Sequence, residues 1–536
     1  MASSTCWSLS VVLESKAPEL YRVVFVKGNP LRLVIVKIFP AKAPRPKESR
    51  KEMQNRIPSL RLPLRLCAFA REILPLVCSL IVVSAFSVDA NGQAVTINVS
   101  SSGELRIDAY SPNPSHSWSF RNTYAGILGI AERLDDFHAT TSSDQDAQPR
   151  KIATGEFRSD LDATKISYRV NVSKPGPGDV SHVSWIAGDY GLLMLADLLP
   201  QDFTNVSVRF ELPSGWSVAS SSSGDASLYK SVAPEKAIFF VGRSFRQAGK
   251  SVDGTQLTTV VGGTWPFKDR DALNAATKVM KNYLELTGFK LTDGAFIMIA
   301  PLPVKVGSTK WRAETRGSTV VLLIDPAASF NSWVGQLGVI FTHELLHLWV
   351  PNRLQLEGDY DWFYEGFTLY TALQTALKLK IINFKEYLDT LARVYDSYLS
   401  YPDDLSLIDA SERRWTTSGS LVYDKGMLVA FLFDLKIRKE SGGKSTLADR
   451  YRELFSGRVT ANASGNEAII ALLDSAPAMQ GFARSYVESS AKLELEQVLP
   501  AYGLTLNSSG KQSELRINRD LNAEQKQLLR SLGFRK

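Results

Sequence analysis

Apolar positions in this 536-residue chain change their spacing from one region to the next. Between residues 93 and 262 they alternate with polar ones or cluster in short runs, at 95–99, 166–172, 206–212 and 237–241, punctuated by Gly, Ser and Pro. Side chains on a strand point alternately to its two faces, so these runs predict strands, and the punctuation predicts a sandwich-like β region. The character shifts near Thr264-Trp265-Pro266. Residues 269–285 predict a helix, 295–300 and 319–324 predict strands, and helical spacing then runs almost without a break from 332 to about 490. The expected fold class is α+β and multidomain. Residues 93–262 form an N-terminal β domain, 263–505 a mainly helical domain with a small sheet, and 506–536 a polar tail with a helix at Ala523–Leu532.

Within the helical region lies His343-Glu344-Leu345-Leu346-His347, in a Pro-free run from 335 to 350. Positions four apart on a helix sit one above the other, so both imidazoles reach one metal ion. Glu344, about 100° further round, reaches a water on that ion. Only five histidines occur in the chain and two of them are here. A catalytic zinc needs a third protein ligand and an open position. After Pro351 a polar connection with Glu357, Asp359 and Asp361 leads into Trp362-Phe363-Tyr364-Glu365-Gly366-Phe367-Thr368, where Glu365 shares a row with Trp362, Leu369, Ala372 and Ala376. A carboxylate on an apolar row is costly to bury unless paired or coordinated, which makes Glu365 the candidate third ligand.

These blocks, together with Tyr423-Asp424-Lys425-Gly426, resemble the catalytic core of the glycyl aminopeptidase family of zinc metallopeptidases, gluzincins related to aminopeptidase N and thermolysin. The resemblance runs diffusely from about residue 93 to 505 and specifically through the three blocks. It implies a thermolysin-like catalytic domain, one Zn2+ held by His343, His347 and Glu365, Glu344 as general base, and Tyr423 as hydrogen-bond donor to the tetrahedral intermediate. The 18 positions between His347 and Glu365 follow the aminopeptidase N type. The family's Gly-Gly-x-Glu-His edge strand is matched by the stretch from Lys310 to Thr319, where Glu314 stands but Thr315 replaces the His. Glu314 is the candidate anchor for a substrate's free amino group, through a charge-assisted hydrogen bond. The family's terminal PDZ domain has no room in the last thirty residues.

Charge places the basic excess in one segment. The formal net charge is +7, yet residues 1–92 hold 14 of the 62 Lys and Arg and 6 of the 55 Asp and Glu. That leaves 48 basic and 49 acidic residues elsewhere, a net charge of −1, which points to no nucleic-acid partner. Arg56, Arg61, Arg65 and Arg71 precede an apolar stretch at 73–88, the pattern of a signal peptide starting from Met53, with residues 1–52 as a mis-assigned start. The expected location is periplasmic or secreted, with membrane attachment only through an uncleaved leader. All three cysteines, Cys6, Cys67 and Cys78, fall in that leader, so the rest of the chain forms no disulfide. Gly443-Lys444-Ser445 lacks the first Gly of a phosphate-binding loop and is read as part of a helix end.

The sequence therefore reads as an exported zinc metallopeptidase with peptide substrates, acting on peptide N-termini. Two alternatives stay open: a catalytically impaired peptidase-like scaffold that binds zinc or peptide, and an endopeptidase of the same fold.

Overall fold

The computed structural model describes residues 92–535 apart from short interior stretches, together with the backbone of an antiparallel strand pair, Tyr21–Val26 and Arg32–Lys37. The expected signal peptide, the three cysteines and all of the expected extension except that strand pair lie outside the described residues. Among the described residues, no helix is long and apolar enough to cross a membrane.

A β-rich region precedes a helical one. An eight-stranded sheet is built around the long strands Glu104–Ser119 and Glu156–Asn171, which pair with each other along most of their length. The run expected at 166–172 is only the end of the second strand. Its first half, Glu156–Ala163, is mostly polar and buries only Phe157, Ser159 and Ala163, so its apolar signal is weak. A four-stranded sheet follows, in the order Trp185–Ala187, Tyr190–Met194, Ile238–Gly242 and Ser217–Ser220.

That second sheet is apolar on both faces. Leu193, Phe239 and Val241 join the core it shares with the eight-stranded sheet. Leu192, Met194, Ile238 and Phe240 point the other way, into a core with Val260, Met298, Val321 and Leu323. Period-2 alternation thus serves two cores at once, and the strand reads as an unbroken apolar run.

Those last four residues belong to a five-stranded sheet in the order Arg246–Val252, Thr255–Val261, Ala295–Pro301, Thr319–Ile324 and Trp311–Arg316. The three central strands are parallel, and Trp311–Arg316 lies antiparallel at the edge. Its far face packs on the helical core through Leu257, Val261, Ile297, Ile299, Val320 and Leu322. The helices that matter here are α1 (Asp269–Thr287), α2 (Phe330–Leu346), α3 (Thr368–Lys378), α4 (Phe384–Leu399), α5 (Leu407–Glu412) and α6 (Leu421–Glu440). From residue 504 a small hairpin, Leu504–Asn507 with Glu514–Ile517, precedes the helix Ala523–Leu532, which buries Leu528, Leu529 and Leu532.

Candidate metal centre

Helix α2 is seated by its own backbone. The Tyr283 hydroxyl of α1 donates to the Thr342 carbonyl at 2.7 Å, and Thr342 Oγ1 reaches the Ala372 carbonyl of α3 at 3.3 Å. This fixes α2 just before His343. His347 follows the last α2 residue and continues the helical bonding, with its amide 3.3 Å from the His343 carbonyl.

Glu365 comes from a π-helical turn, Trp362–Phe367, that leads directly into α3. Such turns insert one residue into a helix and re-aim its side chains. The turn presses against α6 through two glycines. A Cβ on Gly366 would sit 2.5 Å from Gly426 Cα, and one on Gly426 would sit 2.7 Å from the Trp362 carbonyl oxygen. No other residue type fits either position, which explains the Gly in each block. The contact brings the start of α6, and Tyr423 with it, up to Glu365.

His343, His347 and Glu365 meet as a buried triad. Their facing atoms form a triangle: His343 Nε2 to His347 Nε2 is 3.0 Å, and Glu365 Oε2 lies 3.2 Å and 3.3 Å from them. Bonds of about 2.0–2.1 Å around a tetrahedral zinc would set its ligand atoms roughly 3.3 Å apart, close to these edges. The ring protons are accounted for on the other side. His347 Nδ1 donates to the Val350 carbonyl at 2.8 Å. His343 Nδ1 lies 3.3 Å from Thr368 Oγ1, whose own proton is directed at the Tyr364 and Glu365 carbonyls. Each ring thus has an Nδ1 partner outside the triangle, and both Nε2 atoms face Glu365 Oε2; with the Nε2 positions deprotonated, three donor atoms at this spacing fit a divalent cation.

Glu344 lies beside this triad. The Thr315 hydroxyl on the edge strand is 2.7 Å from Glu344 Oε2 and 3.0 Å from its carbonyl oxygen. Tyr423 is reached through a residue that sequence reasoning did not single out. Arg414, in the turn between α5 and α6, donates from Nη2 to Glu365 Oε1 at 2.8 Å and to the Tyr423 hydroxyl at 2.6 Å. Its Nη1 pairs with Asp361. Burial pushes the Glu365 carboxyl up, but Arg414 and His347 outweigh it and hold the group well below its usual range. Burial pushes the Tyr423 phenol up and Arg414 only partly opposes it, so the phenol keeps its proton.

Glu314 lies apart from this cluster. It alternates with Thr315 along the strand, and its oxygens already accept from Tyr124 at 2.8 Å, Arg316 at 2.9 Å and His182 at 2.5 Å. Burial would raise its pKa, yet His182 and then Arg316 hold it at about 2.

No protein-family model matches the chain, and no curated protein does. Among solved structures it is similar to an aminopeptidase N family protein from Idiomarina loihiensis, at 17% identity and TM-score 0.67, covering 77% of this chain and 79% of that one. It is also similar to a variant M1 zinc metallopeptidase from Deinococcus radiodurans bound to a Tyr-Ser-Ala substrate, at 15% identity and TM-score 0.50, covering 76% and 95%. At these identities the likeness establishes the fold: a β-rich region followed by a helical one, as in M1 peptidases.

Proposed function

We propose that this chain is a zinc-dependent metallopeptidase that hydrolyses peptide bonds at peptide N-termini, with one Zn2+ held by His343, His347 and Glu365. The observation that carries this reading is the buried triangle of Nε2, Nε2 and Oε2 atoms, with the Nδ1 of each ring engaged by a partner outside it. The shared fold with an aminopeptidase N family protein, and with a metallopeptidase that holds a tripeptide, supports it.

When bound, zinc lowers the pKa of a water and polarises a carbonyl. The rest falls to this chain's own side chains. Glu344, oriented by Thr315, takes the proton of the attacking water and returns it to the leaving amine. Tyr423 directs its hydroxyl proton at the oxyanion that develops on the carbonyl.

One observation favours a second reading, an endopeptidase of the same fold. Glu314, the candidate amine anchor, already accepts from three donors and its side chain is only 10% exposed, so at most one acceptor position is left for a substrate ammonium. Zinc content, and hydrolysis of free and N-blocked peptides by wild type and Glu344→Gln, separate the readings. Glu344→Gln should keep its zinc and lose about 10²–10⁴-fold in turnover. Equal cleavage of blocked peptides would replace the aminopeptidase by the endopeptidase. Zinc bound with no Glu344-dependent turnover would leave only a binding scaffold.

A further inference from the structure

The turn between α5 and α6 delivers one guanidinium to four groups of the metal centre. Helix α5 is fixed to the π-helical turn because the Ser411 hydroxyl accepts the Trp362 amide at 3.0 Å. The Ser418 hydroxyl closes the turn onto the Ala410 carbonyl at 2.8 Å. Arg414, three residues past Ser411, is thereby held with its side chain only 9% exposed. Its two Nη2 protons are spent on Glu365 Oε1 and the Tyr423 oxygen, and its Nη1 protons on Asp361 and, at 3.3 Å, the Tyr364 hydroxyl. Tyr364, Trp415 and Tyr423 pack their rings around the cation.

The consequences for the two site residues differ. A carboxylate has two oxygens that rotate together, so fixing Glu365 Oε1 on Arg414 leaves Oε2 aimed at the imidazoles. A phenol has one proton, and its oxygen accepts from Arg414. The Tyr423 proton must then point away from the guanidinium, free to be given to a substrate oxygen.

We propose that Arg414 is the positioning residue of this centre: one guanidinium holds the third metal ligand and the oxyanion donor in register with each other. The role needs a planar fork with two protons on one nitrogen. A lysine ammonium, a point donor, keeps the charge and loses the geometry. Asp361 holds the opposite side of the fork and keeps it from turning. The proposal rests on the metallopeptidase reading, and the test below keeps the two apart.

The experiment uses the full chain with Arg414→Lys, Arg414→Gln, Tyr423→Phe and the double variant Arg414→Lys/Tyr423→Phe. Zinc affinity is measured by competition with a chelating indicator, kcat and KM on a peptide the wild type cleaves at saturating zinc, and folding by thermal denaturation. Arg414→Lys should fold, bind zinc about 10–100-fold more weakly, and lose kcat with little change in KM. In the Tyr423→Phe background its zinc defect should persist while its kcat loss shrinks to about twofold or less, since the phenol it orients is gone. Zinc affinity within about twofold of wild type in a folded variant would overturn the proposal, as would fully additive kcat losses in the double variant. Failure of both single variants at position 414 to fold would overturn it too, by assigning Arg414 to stability alone. A wild type that binds zinc but cleaves nothing would defeat the metallopeptidase reading instead, and the zinc arm would still decide Arg414.

Discussion

Two buried carboxylates in this molecule are surrounded by the same kinds of residue and end in opposite states. Glu314, at the junction of the edge strand with the β region, has Arg316, His182 and Tyr124. Glu365, between α2 and α6, has Arg414, His343 and His347, with Tyr423 on the same guanidinium. The side chains are about equally buried, 10% and 9% exposed. At Glu314 the histidine turns its Nδ1 to the carboxylate as a donor, and the phenol donates as well, so the group is closed. At Glu365 two imidazoles bring their Nε2 atoms to one oxygen, and each has a separate partner for Nδ1 outside the triangle. Composition does not separate a clasp from a candidate cation site. The convergence of two ring nitrogens on one carboxylate oxygen does.

The largest effect is expected where the closed cluster is broken. Glu314→Gln leaves Arg316, 6% exposed, without its charge partner, and should lower the free energy of unfolding by about 3–5 kcal/mol. Zinc stoichiometry should stay at the wild-type value. Urea melts and metal analysis check this, and loss of zinc with little loss of stability would erase the distinction between the two carboxylates. The reciprocal change, Glu365→Gln, should weaken zinc binding by more than about 100-fold. Its stability should fall less than that of Glu314→Gln, because Arg414 retains Asp361. Wild-type affinity in a chelator competition would remove Glu365 from the ligand set.

A third carboxylate sharpens the comparison by having no cationic partner among the described residues. Asp424 is 8% exposed and accepts a 2.6 Å hydrogen bond from Ser397; burial raises its pKa to about 7. Its folded value lies above the unfolded one. The stability it contributes is therefore complete below about pH 4 and is lost as pH rises through about 7. Between pH 5 and pH 8 this group should cost the wild type about 1–3 kcal/mol that Asp424→Asn does not lose. Parallel pH profiles of the two proteins in denaturant melts would refute it.

Much of the metal centre was legible because its signal is local. His343 and His347 lie four positions apart in a helical run, and the apolar row around Glu365 marks a carboxylate that needs a reason to be buried. The strand at 319–324 was readable for the same reason, being apolar at every position after Thr319. Arg414 was not readable. It lies in a short turn with Arg413 and Trp415, where no periodicity operates, and its meaning comes only from the Gly366–Gly426 contact that folds α6 onto the π-helical turn. Glu314 was expected to meet substrate. Strand alternation does put Arg316 on its face, but the other two partners are Tyr124 and His182, 190 and 132 residues away, and no spacing rule reaches them. The long polar half of Glu156–Asn171 escaped because a strand with a solvated face carries little apolar pattern.

The four-stranded sheet with Ile238–Gly242 at its heart sets a limit on how this protein can be divided. Its alternate side chains are shared between neighbours on either side, so each neighbour supplies the other with half of an interior. Excising residues 263–536 would strip the cover from Met298, Val321 and Leu323 and turn the back of the helical half into an adhesive wall. The β region is therefore the roof over that face of the five-stranded sheet, and a shortened chain has to keep it.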